Sequence, residues 1–273
     1  MEFRQKLAKA TGIKESMLPA GYQTVGNVLL LKLPRIKSAK HKEKIAASAL
    51  SILPYIKTVC EMKEVKGELR EPVVRLIAGK STVTIHKEND VLYKLDLSQV
   101  MFSKGNLNER KRIISQVKEG ELIVDMFAGI GYFSLGLAKF TSAKEIISIE
   151  RNPVAYNLLT DNIAINKISN VNAINGDCRQ FAANFSGMAD RVVMGYFPDT
   201  DQFLPFALHM ARSGCVIHFH NIYKTKELWK KPMEEIRSAC EKAKMKHEIV
   251  AKKKVKSYSP NTWHVVVDFR VTR

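Results

Sequence analysis

The chain has 273 residues, of which 45% are hydrophobic, enough for one large domain or two modest ones around a sizeable core. Lysine and arginine outnumber aspartate and glutamate by 44 to 27, a net charge of +17 that attracts polyanions: nucleic acid first, an acidic membrane surface second, with a merely lysine-rich soluble surface as the plain alternative. No apolar run approaches the roughly 18 residues of a membrane span, and the charged start Met1-Glu2-Phe3-Arg4-Gln5-Lys6 is unlike a signal peptide, so a cytoplasmic protein without a membrane or obligate protein partner is expected.

In chain order, residues 1 to about 20 read as a short amphipathic helix closing at Pro19-Ala20-Gly21. Val25 to Leu33 reads as a strand ended by Pro34. Lys37 to Leu53 repeats Ile45, Ala49, Ile52 and Leu53 at helical spacing, with lysines on the other face. Short strands follow at 58–62, 73–78, 82–86 and 91–96, the last two joined by a turn at Glu88-Asn89-Asp90. This is an α+β module. The boundary is placed near Ser103-Lys104-Gly105-Asn106, giving domains 1–104 and 105–273. Beyond it, strands at 121–125, 146–150, 171–175, 190–194, 214–219 and 263–271 alternate with helices at 107–118, 132–140, 153–166, 202–212 and 229–245. That rhythm predicts an α/β fold with a doubly wound, Rossmann-like sheet. Lysines and arginines cluster in residues 1–44 (Lys32, Arg35, Lys37, Lys40, Lys42, Lys44) and again in 224–256, ending in Lys252-Lys253-Lys254. Either cluster fits a solvated helix face. Two in one chain favour a split nucleic-acid surface, with the N-terminal domain facing RNA.

The most informative stretch runs from Leu122 to Ser134: an apolar strand ending in Asp125, then a turn carrying Gly129 and Gly131, then a helix start. A second strand ends at Glu150, 19 residues after Gly131. Glycines let a ligand approach the backbone, and a carboxylate at the next strand tip can take both ribose hydroxyls. The pattern is D-x-x-x-G-x-G, without the closing small residue of a dinucleotide fingerprint and without a pyrophosphate cradle. It favours S-adenosylmethionine, which has a ribose and an adenine but no phosphate.

Asp177 follows the third strand, where an acid faces an adenine amino group; an Asx-turn is the equal alternative. Met194-Gly195-Tyr196-Phe197-Pro198 follows the fourth strand, where a transferase meets its acceptor. Amino-group methyltransferases place an Asn/Asp-Pro-Pro-Tyr motif there. Met194 offers only a weak thioether acceptor, Gly195 permits close approach of a flat ring, and Tyr196 can stack or donate a hydrogen bond. His218 and His220 read as packed, hydrogen-bonded histidines, with a general base as the sharper option and no third ligand for a metal. Cys60, Cys178, Cys215 and Cys240 form no C-x-x-C pair and are expected to be free thiols without a metal.

Several segments together resemble one family. Tyr93-Lys94-Leu95-Asp96-Leu97-Ser98-Gln99-Val100-Met101-Phe102-Ser103, then Gly105-Asn106 and Glu109-Arg110, is similar to the entry motif of two archaeal and eukaryotic tRNA enzymes. These are the tRNA guanine-37 N1-methyltransferases and the wybutosine-synthesising aminocarboxypropyltransferases. The 125–135 and 149–167 segments fit both. Met101-Phe102-Ser103-Lys104-Gly105-Asn106, Met194-Gly195-Tyr196 and the 255–268 segment resemble the transferase. The resemblance covers residues 90–273 well and the first 90 loosely. It implies a class I S-adenosylmethionine-dependent fold and transfer of the 3-amino-3-carboxypropyl group to the tricyclic guanine derivative at position 37 of tRNA-Phe, in the anticodon loop. Methylthioadenosine would leave. It also implies that Ser103, Arg110, Glu150, Asp177 and Cys178 contact the cofactor, with Arg110 holding its carboxylate. Methylation of guanine 37 is the alternative.

Overall fold

The computed structural model describes residues 2–67, 71–102 and 104–273. The chain divides into two compact units, Met1–Phe102 and Ser103–Arg273.

The first unit contains α1 (Phe3–Thr11), β1 (Tyr22–Val25), β2 (Val28–Leu31), α2 (Ala39–Ile52), β3 (Thr58–Lys66), β4 (Glu71–Ala78), β5 (Val83–Glu88) and β6 (Val91–Asp96). Its four-stranded sheet has the order β1-β2-β3-β4, and β5 and β6 form a separate hairpin. The strand expected over 25–33 is β2, shortened to Val28–Leu31, because Gly26 adopts φ 53 and reverses the chain from β1, a strand over Tyr22–Val25 that was not expected. A Cβ at Gly26 would lie 2.1 Å from Thr84 Oγ1, so the turn packs directly on the β5–β6 hairpin. The hairpin turns at Asn89 and Asp90, both with positive φ, as a two-residue primed turn requires. Helix α2 crosses between the parallel pair β2 and β3 and buries Ile45, Ala46 and Ala49 against Leu29, Leu31 and Val59.

The second unit contains α3 (Leu107–Ile114), β7 (Leu122–Asp125), α4 (Ser134–Phe140), β8 (Glu145–Glu150), α5 (Pro153–Ile165), β9 (Val171–Asn175), α6 (Cys178–Phe181), β10 (Ala189–Met194), α7 (Leu204–Met210), β11 (Ala211–Lys224), α8 (Lys230–Lys242), β12 (Lys246–Ser259) and β13 (Thr262–Thr272). The sheet order is β12-β13-β11-β10-β7-β8-β9. Strands β7, β8, β9, β10 and β11 pair in parallel; β13 and β12 add antiparallel. Sequential strands run outward from β7 to β9, and β10 then starts on the other side of β7. That reversal opens a crevice at the carboxyl ends of β7 and β10, where ligands bind in such sheets.

Strand β12 was not visible in the sequence. It is an edge strand, and Lys252, Lys253 and Lys254 are all exposed, so no apolar alternation marks it. Charged lysines on an edge also discourage pairing with another chain. The second basic cluster is therefore carried by α8 and an edge strand, not by a helix face alone. In the first cluster, Lys42 is engaged by Glu61 at 2.7 Å. Among the described residues, no helix is long and apolar enough to cross a membrane.

A buried polar chain ties α3 to the sheet. Arg191 on β10 donates to both Glu121 carboxylate oxygens at 2.7 and 2.9 Å, and reaches His218 Nε2 at 2.8 Å. His218 Nδ1 lies 2.7 Å from Asp268 on β13. Arg112 of α3 donates to Asp268 and to both Glu109 oxygens. A guanidinium can only donate, so His218 Nε2 accepts and its proton sits on Nδ1, facing the carboxylate. Burial raises the Asp268 carboxyl, but the hydrogen bonds from His218 and Arg112 outweigh it and hold it well below the usual range.

Candidate active site

The site is built from the turn between β7 and α4 and from the tips of β8, β9 and β10. Asp125 ends β7 and is fully buried. One of its oxygens accepts from the Ser134 hydroxyl at 2.7 Å, and the other from the Phe127 N–H at 3.3 Å. Ser148 on β8 donates to Ser134 at 2.7 Å, closing a polar bridge between strand and helix. Asp125 thus shapes the turn from below. Burial, with Glu150 nearby as a lesser cause, pushes its carboxyl up to about 6.

The glycine turn then folds back over the sheet. Gly129 has φ 56 and Gly131 has φ 95, and Cβ atoms there would lie 2.5 Å from the Tyr132 ring and from Leu135. Only glycine fits either position. Asn162 on α5 donates to the Ile130 carbonyl at 3.1 Å and holds the turn from its outer side.

Glu150 sits at the tip of β8. The Gly129 N–H donates to one carboxylate oxygen and the Asn152 N–H to the other, each at 2.7 Å. Each oxygen has a second accepting position. Asn152 also caps α5, accepting from the Val154 N–H at 2.9 Å, with Pro153 at the first helical position. Burial raises the Glu150 carboxyl against the effect of these bonds.

Asp177 forms the Asx-turn that was one of its two readings. It caps α6, accepting the Arg179 N–H at 3.0 Å, and its carboxylate takes the Arg179 guanidinium at 2.9 and 2.6 Å. The Arg179 hydrogen bonds hold it below the ordinary aspartate range. The Cys178 side chain turns into the core, and burial pushes its thiol up to about 12. All four cysteines are free and buried. Arg110 on α3 is buried, with its guanidinium 5.4 Å from the Tyr132 ring centroid, beside the glycine turn. Ser103 lies outside the described residues.

At the tip of β10 the structure corrects one expectation. The Met194 thioether is fully buried in the core and offers nothing to an acceptor. The next position, Gly195, has no room for a side chain: a Cβ there would lie 2.8 Å from the Phe133 ring. Tyr196 stacks on Phe127 with centroids 5.1 Å apart and meets Phe203 edge-on at 6.0 Å. Its ring therefore belongs to an aromatic wall. Ser134, Ser148, Asn162 and Phe133 were not picked out from the sequence; an asparagine on the apolar face of α5 was the one visible signal among them. Among the described residues no cluster of metal-ligating side chains occurs.

Residues 84–250 match the TRM5/TYW2 methyltransferase domain family, and residues 4–82 match the TYW2 N-terminal domain. The chain belongs to this family and has its S-adenosylmethionine-dependent transferase fold. It is 40% identical over 257 residues, 93% of this chain and 90% of the relative, to the tRNA(Phe) (4-demethylwyosine(37)-C(7)) aminocarboxypropyltransferase of Pyrococcus horikoshii. The crystal structure of P. horikoshii TYW2 in complex with MeSAdo is similar with a TM-score of 0.86 and 35% identity, covering 99% of each chain. The complex of aTrm5 with tRNALeu gives a TM-score of 0.83 at 31% identity, covering 99% of this chain and 78% of that one.

Asp125 provides a test of the turn's electrostatics. Its carboxyl is raised from 3.8 to about 6, so the folded state holds a proton that the unfolded chain releases, and ionisation costs stability. The cost is absent below about pH 4, grows between about 4 and 6, and is constant above, at on the order of 3 kcal/mol. Asp125→Asn removes the charge, and reversing the Ser134 hydroxyl satisfies the amide. Relative to wild type, the variant is expected to gain stability from about pH 4 to 6 and then level off in denaturant titrations. A difference independent of pH would contradict the raised carboxyl.

Proposed function

We propose that this chain transfers the 3-amino-3-carboxypropyl group of S-adenosylmethionine to ring carbon 7 of 4-demethylwyosine at position 37 of tRNA-Phe, releasing methylthioadenosine. The observation that carries this reading over guanine-37 N1-methylation is at Gly195. The Phe133 ring fills the room that a side chain would need, so the strand tip presents no amide to grip an exocyclic amine. It presents a flat, apolar and aromatic surface suited to a tricyclic base.

The sulfonium carries three carbons open to in-line attack, and the enzyme selects among them by orientation. Glu150, fixed by two backbone N–H groups, has accepting positions left for the ribose hydroxyls. Asp177 keeps one accepting position for the adenine amino group after Arg179 takes the others. Cys178 contributes through its backbone, since its thiol is in the core. Arg110 holds the carboxylate of the amino acid chain through its planar fork, and Tyr196 backs the acceptor with its stacked ring. Ser103 is assigned to the same end of the cofactor on family resemblance alone.

The RNA surface is assigned to the N-terminal unit and to the β12–β13 hairpin. Lys252 lies 5.9 Å from the Trp229 ring centroid and Lys254 lies 4.8 Å from that of Trp263. Both cations are held over aromatic faces, leaving their ammonium groups positioned for phosphates. Their alternation along the strand sets them on one face and Lys253 on the other.

The direct test uses S-adenosylmethionine labelled separately in the methyl group and in the amino acid chain. Label from the chain is expected in tRNA, with methylthioadenosine as by-product. Methyl label in tRNA with S-adenosylhomocysteine would assign methylation instead.

Arg110→Lys keeps the charge and loses the fork. Single-turnover transfer is expected to fall on the order of a hundredfold, from misplacement of about 1 Å, while cofactor affinity changes little. Full activity would remove Arg110 from carboxylate binding.

The affinity for tRNA is expected to fall steeply with salt as counterions are released. Reversing Lys252 and Lys254 together should lower the slope of log K against log salt by about 2, and reversing Lys253 alone should not. An unaltered slope in the double variant would place the RNA elsewhere.

A further inference from the structure

Tyr258 stands near the tip of the β12–β13 hairpin and keeps 47% of its surface exposed, although an aromatic ring is among the side chains that gain most from burial. The ladder itself puts it there. Ser257 pairs with Trp263 and Ser259 with Thr262, so two steps along β12 match one step along β13. Tyr258 is the extra residue of a β-bulge, a device that re-aims a side chain out of the regular alternation.

The bulge sets Tyr258 against the segment that follows β10. Its ring meets Phe197 at 90° with centroids 5.9 Å apart. Phe197 lies two residues beyond Gly195 and is itself buried, against the His264 ring at 4.3 Å. His264 is paired with His220, whose Nδ1 lies 3.0 Å from its Nε2. A run of rings thus leads from the core between β11 and β13 to the surface, and Tyr258 is its exposed end. An aromatic ring held from beneath loses little freedom when a ligand stacks on it.

Charge identifies the occupant. The same hairpin carries Lys252, Lys253 and Lys254, all exposed, and Lys254 lies 4.8 Å from the ring centroid of Trp263, the cross-strand partner of Ser257. From Ile249 to Val267 the chain contains no acidic residue. An exposed aromatic ring among cations, with no carboxylate nearby in the chain, fits single-stranded nucleic acid: lysines meet phosphates, and the ring takes a base, since every base has a π-face.

We propose that Tyr258 is a stacking platform for one of the two bases that flank the target nucleotide of the tRNA. The inference rests on the tRNA reading above and on the hairpin as RNA surface. A target base that turns toward the sheet leaves the stack of its strand, and the base beside it loses a neighbour. The Tyr258 ring replaces that neighbour, at the edge of the segment where the target is received. The face of the ring does this, so the phenol hydroxyl is dispensable.

The test measures the tRNA affinity of wild type, Tyr258→Phe and Tyr258→Leu without cofactor, on intact tRNA-Phe, on tRNA abasic at either nucleotide flanking position 37, and on tRNA abasic in the D loop. Tyr258→Phe is expected to bind intact tRNA like wild type. Tyr258→Leu still covers Phe197 but offers no plane. It is expected to bind about tenfold or more weakly, the ordinary contribution of one stacked base. Its salt slope and its affinity for S-adenosylmethionine should match wild type. On the tRNA abasic at the stacked position, wild type and Tyr258→Leu should bind alike, while the D-loop control keeps the full difference. A merely structural ring would carry its penalty to every tRNA. Wild-type affinity in Tyr258→Leu, a loss equal on all four tRNAs, a loss with an altered salt slope, or an equal loss in Tyr258→Phe overturns the proposal. If wild type itself has no measurable affinity for tRNA, the tRNA reading fails and takes this proposal with it; tight binding indifferent to Tyr258 overturns the proposal alone.

Discussion

The Gly129 N–H and the Glu150 carboxylate meet at 2.7 Å, and the rest of the site depends on that contact. It joins the glycine turn after β7 to the tip of β8, two elements that sequence separates by about twenty residues. The bond requires the turn to fold back with positive φ at Gly129 and Gly131, which no side chain tolerates in the space available. The bond also orients the carboxylate. With one oxygen bound to Gly129 and the other to Asn152, the remaining lone pairs have fixed directions. A site whose groups are held before the ligand arrives loses less to ordering on binding.

That arrangement has supports on both sides. Beneath it, Asp125 is buried and bonded to Ser134 and to the Phe127 N–H, at the cost of a raised carboxyl. From outside, Asn162 holds the Ile130 carbonyl. Across the sheet, the chain from Glu121 through Arg191, His218 and Asp268 to Arg112 locks α3, and with it Arg110, at a fixed height. Breaking such a buried chain by removing one member leaves an uncompensated charge, typically at a cost of about 3–5 kcal/mol. Under the proposed reading, the amino acid end of the cofactor is then addressed from a different element than the nucleoside end, and such independent orientation would select a carbon other than the methyl for transfer.

Much of this was legible in the sequence, for identifiable reasons. Buried parallel strands write themselves as apolar runs, so β7, β8 and β10 were plain, and glycines beside a strand-end acid marked the turn. Glu150 followed from its distance to Gly131. Other features were hidden. Strand β12 lies at the sheet edge and its run Lys252-Lys253-Lys254 is exposed residue after residue, so those lysines carry no period. The split between β1 and β2 turns on the φ of Gly26 alone. Met194 reads from the sequence as a weak thioether acceptor at the strand tip, yet the pleat sends its side chain into the core and brings Gly195 to the tip, against Phe133. The supporting shell of Ser134, Ser148 and Asn162 consists of common residues whose meaning appears only when distant elements meet. The His220–His264 contact spans 44 positions and has no local signature.

Isothermal calorimetry of S-adenosylmethionine binding to Glu150→Gln measures what the strand-tip carboxylate contributes to holding the nucleoside. Glutamine keeps the length and one accepting oxygen but loses the charge, and its amide nitrogen must face either a backbone N–H or a ribose hydroxyl. Charge-assisted hydrogen bonds contribute about 1.5–3 kcal/mol each, so the affinity is expected to fall by at least about tenfold. An unchanged affinity in a folded variant would mean that the strand-tip carboxylate only braces the glycine turn and that the nucleoside is held elsewhere.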